Sequence, residues 1–346
     1  MNAAIDDVAR AAGVSTATVS RALRHLPGVS EATRARVLEA ARGLGYAPSA
    51  SAASLASGRT RTIGVLTPWI RRWFHGSVTE GIERTLRAEG FDALLYSFER
   101  ADGTGRNRLD PFVLRRRVDG VLVVGMPVDA EEQQVLDGLG VPVVFIGTGP
   151  PGRVTVTIDD DGAARLAMAH LLGLGHRRVA LLTATGEDQP DWAPPALRQA
   201  GYEAALAEAG VAFDPSLVIP ADYARAGARE RMAELLRTRP EVTAVLAISD
   251  DMAFGVLQAA RDAGRRVPED LSVIGIDGHD MSDLVNLTTI AQGAAEQGAA
   301  AAALMLEMLT GAPVAEEAVF PVDLVVRGTT GPPPTTAPPI PDPPAS

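Results

Sequence analysis

The chain has 346 residues and a net charge of −11, long enough for two or three domains with cores of their own. It contains no cysteine, and all 32 basic side chains are Arg. Disulfides, Cys-ligated zinc, thiol nucleophiles, Schiff-base lysines and the G-x-x-x-x-G-K-[ST] phosphate loop are thereby excluded.

The charge is unevenly placed. Residues 1–61 hold 8 Arg against 4 acids, and the remainder holds 24 Arg against 39 acids. A basic head on an acidic body predicts that only the head meets a polyanion. The opening "MNAAIDDVARAAG" has two acids and no long apolar block, so it does not read as a secretory signal. No apolar run is long enough to cross a bilayer, and the lack of cysteine suits a reducing cytoplasm.

In the head, Ile5, Val8, Ala9 and Ala12 recur at helical spacing and predict a short helix that stops at Gly13. Ser15 is suited to cap a second helix, with Val19, Ala22 and Leu23 turned inward. A third helix is predicted from about Ser30, with Val37, Leu38, Ala41 and Leu44 inward and Gly45 as its stop. Three short helices with a glycine turn between the first two describe a helix-turn-helix, although periodicity alone fits a plain three-helix bundle equally well.

The order of residues goes further. "DVARAAGVSTATVSRAL" followed by "GVSEATRARVLEAARGLGYAPS" resembles the DNA-binding head of the LacI/GalR family of transcriptional repressors, without a gap from Ile5 to about Arg61. The resemblance implies that the helix starting near Thr16 enters the major groove, with Thr16, Ala17 and Arg21 at base-reading positions. Arg can bridge O6 and N7 of guanine, whereas Ala17 offers only apolar contact, so readout should lean on Arg21. Ser15, Thr18, Ser20, Ser30 and Thr33 are small donors suited to phosphate oxygens. The resemblance also gives residues 47–60 the role of a hinge that becomes helical on operator DNA. A helix of about two turns is marginal alone, so conditional folding is physically reasonable. Leu55 lines up with a leucine wedged between base steps in the minor groove. Ser49 and Ser51 stand where Asn and Val are frequent in the family, and Ser54 where Arg is frequent, which weakens the expected hinge contact.

From Thr62 the pattern becomes strands alternating with helices. "TIGVLTP", "DALLYSF", "DGVLVVG" and "VPVVFIG", then "RRVALLT", "TAVLAIS" and "LSVIGID", are near-continuous apolar runs, as in parallel strands covered on both faces. Two such series predict two doubly wound α/β lobes, with ligands beyond the carboxyl ends of the strands. The family resemblance continues through "DGVLVV", "GLGHRRVALL", "RQAGYEAAL", "SDDMAFGVL" and "PEDLSVIGIDG". It implies a core like periplasmic sugar-binding proteins over 61–328. Lobe 1 would take about 61–159 and 292–320, and lobe 2 about 160–291 and 321–328, with crossings near Asp159, Gln292 and Pro321. The Pro-rich 329–346 should be a disordered tail.

The resemblance places the effector, a sugar by the family's common habit, between the lobes. Trp73 and Phe74 would lie in the loop after the first strand, Arg198 would contact effector hydroxyls or carboxylates, and Asp277 would bind at a strand end. Ser249 replaces a common Asn and has a shorter reach; Asp160 and Gln292 are the candidates at the crossings. Expected partners are a near-palindromic operator and a second copy of the chain, with a tetramer as the alternative. No cofactor, metal or catalysis is expected. The rivals are a metal-assisted hydrolase built on "DGHD" (277–280), for which no H-E-x-x-H spacing appears, and a transporter's solute receptor, which would lack the basic head.

Overall fold

The computed structural model describes residues 3–23, 27–46, 59–100, 106–184 and 193–335. The chain divides into Met1–Arg61 and Thr62–Ser346. The hinge residues 47–58, Leu55 among them, lie outside the described residues.

The head is three helices, α1 (Ile5–Ala12), α2 (Thr16–Leu23) and α3 (Glu31–Gly43). Val8, Ala9, Ala12, Val19, Ala22, Val37 and Ala41 form its core. Gly13, at φ 65°, takes the left-handed conformation that ends α1 and turns the chain toward α2. Arg34 Nη1 donates to Ala22 O at 2.8 Å and ties α3 to α2. One inward assignment is corrected: Leu44 is 41% exposed, and Leu38 is only half-buried. Gly45 turns the chain at φ 62°, Tyr46 N returns to Ala41 O at 2.9 Å, and Tyr46 packs on the core in place of Leu44.

The body holds two six-stranded sheets, in the order β11-β5-β4-β3-β1-β2 and β12-β10-β9-β8-β6-β7. The first contains β1 (Thr62–Thr67), β2 (Asp92–Ser97), β3 (Gly120–Val124), β4 (Val143–Ile146), β5 (Val154–Ile158) and β11 (Glu317–Phe320), all parallel. The second contains β6 (Val179–Ala184), β7 (Val218–Ala221), β8 (Ala244–Ala247), β9 (Ser272–Asp277), β10 (Thr288–Ala291) and a short antiparallel β12 (Asp323–Val325). The central β3, β8 and β9 are buried along their whole length. "DALLYSF" does not share this cover: β2 lies at a sheet edge, with Asp92, Leu95 and Ser97 exposed and its other residues half-buried. The two sheets fit the helix-turn-helix head plus doubly wound α/β lobes read from the residues.

The chain passes between the sheets after β5, after β10 and after β11, at 159, 292–293 and 321–322. The expected end of the folded body at 328 is corrected. Thr329 Oγ1 donates to Val273 O at 2.7 Å and accepts from Thr288 N at 2.9 Å. His176 Nε2 donates to Gly331 O at 2.8 Å, so buried donors and acceptors of lobe 2 hold the chain beyond that point.

The first helix of the body, α4 (Trp73–Ala88), packs along α11 (Ala294–Thr310) with backbone against backbone. A Cβ on Gly81 would lie 1.9 Å from Ala295 O, and one on Gly298 would lie 2.1 Å from Val78 O. Gly298→Val should therefore force the helices apart and cost about 2 kcal/mol or more. Calorimetry should show Tm falling by about 3 °C or more in a chain of this size.

Candidate functional site

On the head, α2 turns Val19 and Ala22 to the core and leaves Thr16, Ala17 and Arg21 exposed on the opposite side. The hydroxyl candidates shape the helix starts. Ser15 Oγ accepts from Thr18 N at 3.2 Å and bonds Thr18 Oγ1 at 2.9 Å. Ser30 Oγ accepts from Thr33 N at 3.3 Å and donates to Thr33 Oγ1 at 2.9 Å. Ser15 and Ser30 are exposed; Thr18, Ser20 and Thr33 are half-buried.

In the body one cavity opens at the carboxyl ends of both sets of parallel strands, where open α/β sheets bind ligands. Trp73, Phe74, Asp160, Arg198, Ser249, Asp277 and Gln292 all line it. Its empty volume, counted out into the open mouth, is about 670 Å³. Trp73 and Phe74 do not stand in a loop as expected but form the first turn of α4. Buried His75, Val78, Ile82 and Leu86 carry the helical period back to that point. Trp73 reaches across to stack on His279 beyond β9, with ring centroids 5.0 Å apart and planes at 23°.

Asp160, the first residue of α7 (Asp160–Gly173), pairs with Arg198 of α8 (Ala193–Glu208), Nε to Oδ1 2.7 Å. Arg198 Nη1 also donates to Ile248 O past the end of β8. Burial pushes the Asp160 pKa up, while the same carboxylate holds the Arg198 pKa above its ordinary value against burial. Both point to one tightly coupled pair, and with a full-charge hydrogen bond inside it we take it as ionised.

Asp277 ends β9 at φ 152°, a backbone value costly for a residue with a side chain. Its Oδ1 accepts from Gln292 Nε2 at 2.7 Å, and its Oδ2 accepts from Asp250 N at 3.3 Å. Burial, then the neighbouring Asp250 charge, pushes its pKa up to about 8. Asp250, the first residue of α10 (Asp250–Asp262), is a structural anchor that sequence reasoning missed. It accepts from Thr289 Oγ1 at 2.7 Å, His279 N at 2.8 Å, Ser282 Oγ at 3.0 Å and Gly278 N at 3.1 Å. Ser249 caps the same helix, accepting from Met252 N at 3.2 Å.

Arg72, His75, Tyr223, Asp251 and Gln297 also line the cavity and were not singled out from the sequence. Arg72 and His75 flank the aromatic pair in "RRWFH", which is the signal that could have found them. Nothing in the local sequence marks Tyr223 or Gln297. Burial and the Arg72 charge push the His75 pKa down to about 3, so the ring is neutral.

The "DGHD" groups do not converge on a metal. Asp277 is tied to Gln292, and His279 Nδ1, beneath Trp73, is engaged by Met281 N at 2.9 Å and by Oδ1 of the 77% exposed Asp280 side chain at 2.7 Å. Among the described residues no group of three His, Asp or Glu is placed to hold a metal ion.

Comparison with known proteins gives the same division. Residues 4–49 match the family of bacterial regulatory proteins, lacI family, and residues 168–330 match a periplasmic binding protein-like domain. The HTH-type transcriptional repressor CytR of Escherichia coli (strain K12) is 35% identical over 337 residues, covering 95% of this chain and 96% of the relative. The lac repressor dimer bound to operator and the anti-inducer ONPF superposes with TM-score 0.81 at 26% identity, over 96% of this chain and all of that one. The CelR–cellobiose complex superposes with TM-score 0.69 at 30% identity, over 94% of this chain and 99% of that one. The architecture is that of a DNA-binding transcriptional regulator with a periplasmic-binding-protein-like body. The chain belongs to the lacI family of bacterial regulatory proteins.

An unfolded Asp titrates near its ordinary value, so between about pH 4 and about pH 8 folded Asp277 holds a proton that the unfolded chain has released. The stability contributed by neutral Asp277 is complete below about pH 4 and is lost as pH rises through about 8. Asp277→Asn, neutral at every pH, should flatten the decline of Tm across that window in calorimetric scans against pH.

Proposed function

We propose that the protein is a homodimeric repressor that binds a near-palindromic operator and responds to a small hydroxylated effector held between the body lobes. The observation that carries this reading is the convergence of Trp73, Phe74, Asp160, Arg198, Ser249, Asp277 and Gln292 on one cavity, in a chain with a lacI-family head. Two solved relatives support it: CelR was solved with cellobiose, and the lac repressor as a dimer with operator and anti-inducer.

In this reading Thr16, Ala17 and Arg21 read bases, and Ser15, Thr18, Ser20, Ser30 and Thr33 meet phosphates. Leu55 is the minor-groove wedge that bends the duplex. Leu284, 78% exposed, with Met281 and Val285 beside it, forms an apolar patch that a second copy would cover. The protein acts in the cytoplasm and catalyses nothing. Among the described residues no helix is long and apolar enough to cross a membrane. The lacI-family head weighs against a transporter's solute receptor.

Light scattering on the full chain should give twice the mass of one chain; four times would establish the tetramer, and a monomer that grips one half-site tightly would overturn dimeric readout. Arg21→Ala should cost about 1–3 kcal/mol on operator and relax preference at one symmetric position. Equal weakening on random DNA would mark a phosphate contact instead.

The hinge and the cavity should separate by mutation. Leu55→Ala should reduce operator affinity and bending in circular-permutation gels, whereas Trp73→Ala should weaken the operator's response to effector. Operator and effector must change each other's affinity by the same factor, measured at one salt concentration. Wild-type affinity and bending in Leu55→Ala would make the hinge a tether only.

A further inference from the structure

Three residues lining the cavity each carry a buried polar atom with no hydrogen-bond partner: Arg72 Nη1, His75 Nδ1 and Gln297 Oε1. Only two other described residues, Arg106 and Arg265, carry such an atom, so the unmet groups gather at this cavity. An unmet buried polar group costs about 1–3 kcal/mol, which a ligand can recover.

The chemistry of the three atoms can be read individually. His75 Nε2 lies 3.4 Å from Gly125 O, a group that only accepts. The proton of this neutral ring is therefore on Nε2, and Nδ1 is a bare acceptor. Gln297 Nε2 donates to Gln292 O at 2.7 Å and to Gln292 Oε1 at 3.2 Å, leaving Gln297 Oε1 as a second acceptor. Arg72 can only donate, and it brings a full positive charge.

Among the described residues that charge has no ion-pair partner in the lining, although the charges of Asp222, Asp251 and Glu99 favour it from a distance. Arg198 is matched by Asp160, and Asp251 by Arg225 at 2.7 Å. Burial and the neighbouring Asp250 charge push the Asp277 pKa up to about 8, which favours its neutral form. The acids around Arg72 are engaged elsewhere: Glu99 bonds Arg71 at 3.3 Å, and Asp222 accepts from Ala224 N at 3.2 Å. Arg72 instead lies over the Trp69 ring, 3.8 Å from its centroid, and 5.3 Å from that of Tyr223. Ring faces attract a cation but do not neutralise it.

We propose that the cavity takes an anionic polyhydroxylated ligand, a sugar acid or a sugar phosphate. Its carboxylate or phosphate is held by Arg72, and its hydroxyls donate to His75 Nδ1 and Gln297 Oε1. This rests on the reading of the cavity as the effector site and narrows the class of effector. A neutral sugar satisfies the two acceptors but leaves Arg72 without an ion-pair partner among the described residues. An anion supplies the missing charge through hydrogen bonds about twice as strong as neutral ones.

The test uses the full chain, its Arg72→Gln, Arg72→Lys and Trp73→Ala variants, and calorimetric titration at fixed ionic strength. The probes are inorganic phosphate and three matched sets: glucose with gluconate, glucuronate and glucose 6-phosphate, and the corresponding galactose and ribose series. In the wild type, inorganic phosphate should bind and raise Tm, and at least one acid or phosphate should bind about tenfold or more tighter than its neutral parent. Arg72→Gln should abolish both preferences and Arg72→Lys restore part of them, which separates lost charge from lost packing. Gluconate and glucuronate against glucose 6-phosphate tell a carboxylate site from a phosphate site.

If a neutral sugar binds wild type and Arg72→Gln alike but is lost in Trp73→Ala, the anion proposal falls while the effector cavity stands. If bound probes are unaffected by Trp73→Ala as well as by Arg72→Gln, the cavity reading fails with it. A wild type no more responsive to phosphate than Arg72→Gln also overturns the proposal.

Discussion

The chain passes from one parallel sheet to the other three times, and the first two passages run through the wall of the cavity. Asp160 follows β5 at the first, and Gln292 follows β10 at the second. A group bound to either side chain therefore touches the covalent link between lobes as well as a lobe surface. This constraint makes the cavity sensitive to lobe orientation, because the linking segments cannot swing without moving their own polar side chains. Arg198 reinforces the arrangement, tying α8 to the first passage through Asp160 and to the end of β8 through Ile248 O.

The polar groups around the cavity fall into two populations with different energetic roles. Asp250 is saturated by donors from β10, the turn after β9 and Ser282, and it fixes the floor of lobe 2. Removing one donor from such a network leaves part of a buried carboxylate's hydrogen-bonding capacity unmet and costs about 1–3 kcal/mol. Arg72, His75 and Gln297 are the opposite population, with capacity left unused inside a packed wall. Asp277 lies between them, held by Gln292 yet kept in a strained backbone geometry with a raised pKa. Strain and unmet capacity concentrated at one place are what a site that changes state on binding requires.

The head works by a simpler rule. Seven small or β-branched residues make its core, so its helices are short and their outer faces are largely exposed. Its hydroxyls are doubly used, since Ser15 and Ser30 stabilise helix starts while remaining exposed. Substitution at either position would disturb helix stability together with any phosphate contact, whereas Arg21 has no place in the core.

Sequence by itself determined the elements. Helical spacing in "IDDVARAAG" and unbroken apolar runs such as "LSVIGID" identify helix and buried strand because burial on one face or two imposes those periods. Residue order supplied the family, and with it the seven side chains that the structure gathers at one cavity. Tertiary structure decided what local pattern does not encode. Leu44 yields its place to Tyr46 because a left-handed Gly45 turns the chain back, and "DALLYSF" is half-exposed because it falls at a sheet edge. Thr329–Gly331 stay within the body because His176, Val273 and Thr288 offer them buried partners. Arg72, His75 and Gln297 become notable only when their partners are counted in space. Hydrogen-bond satisfaction and charge balance are properties of neighbours brought together by folding, and no window along the chain contains them.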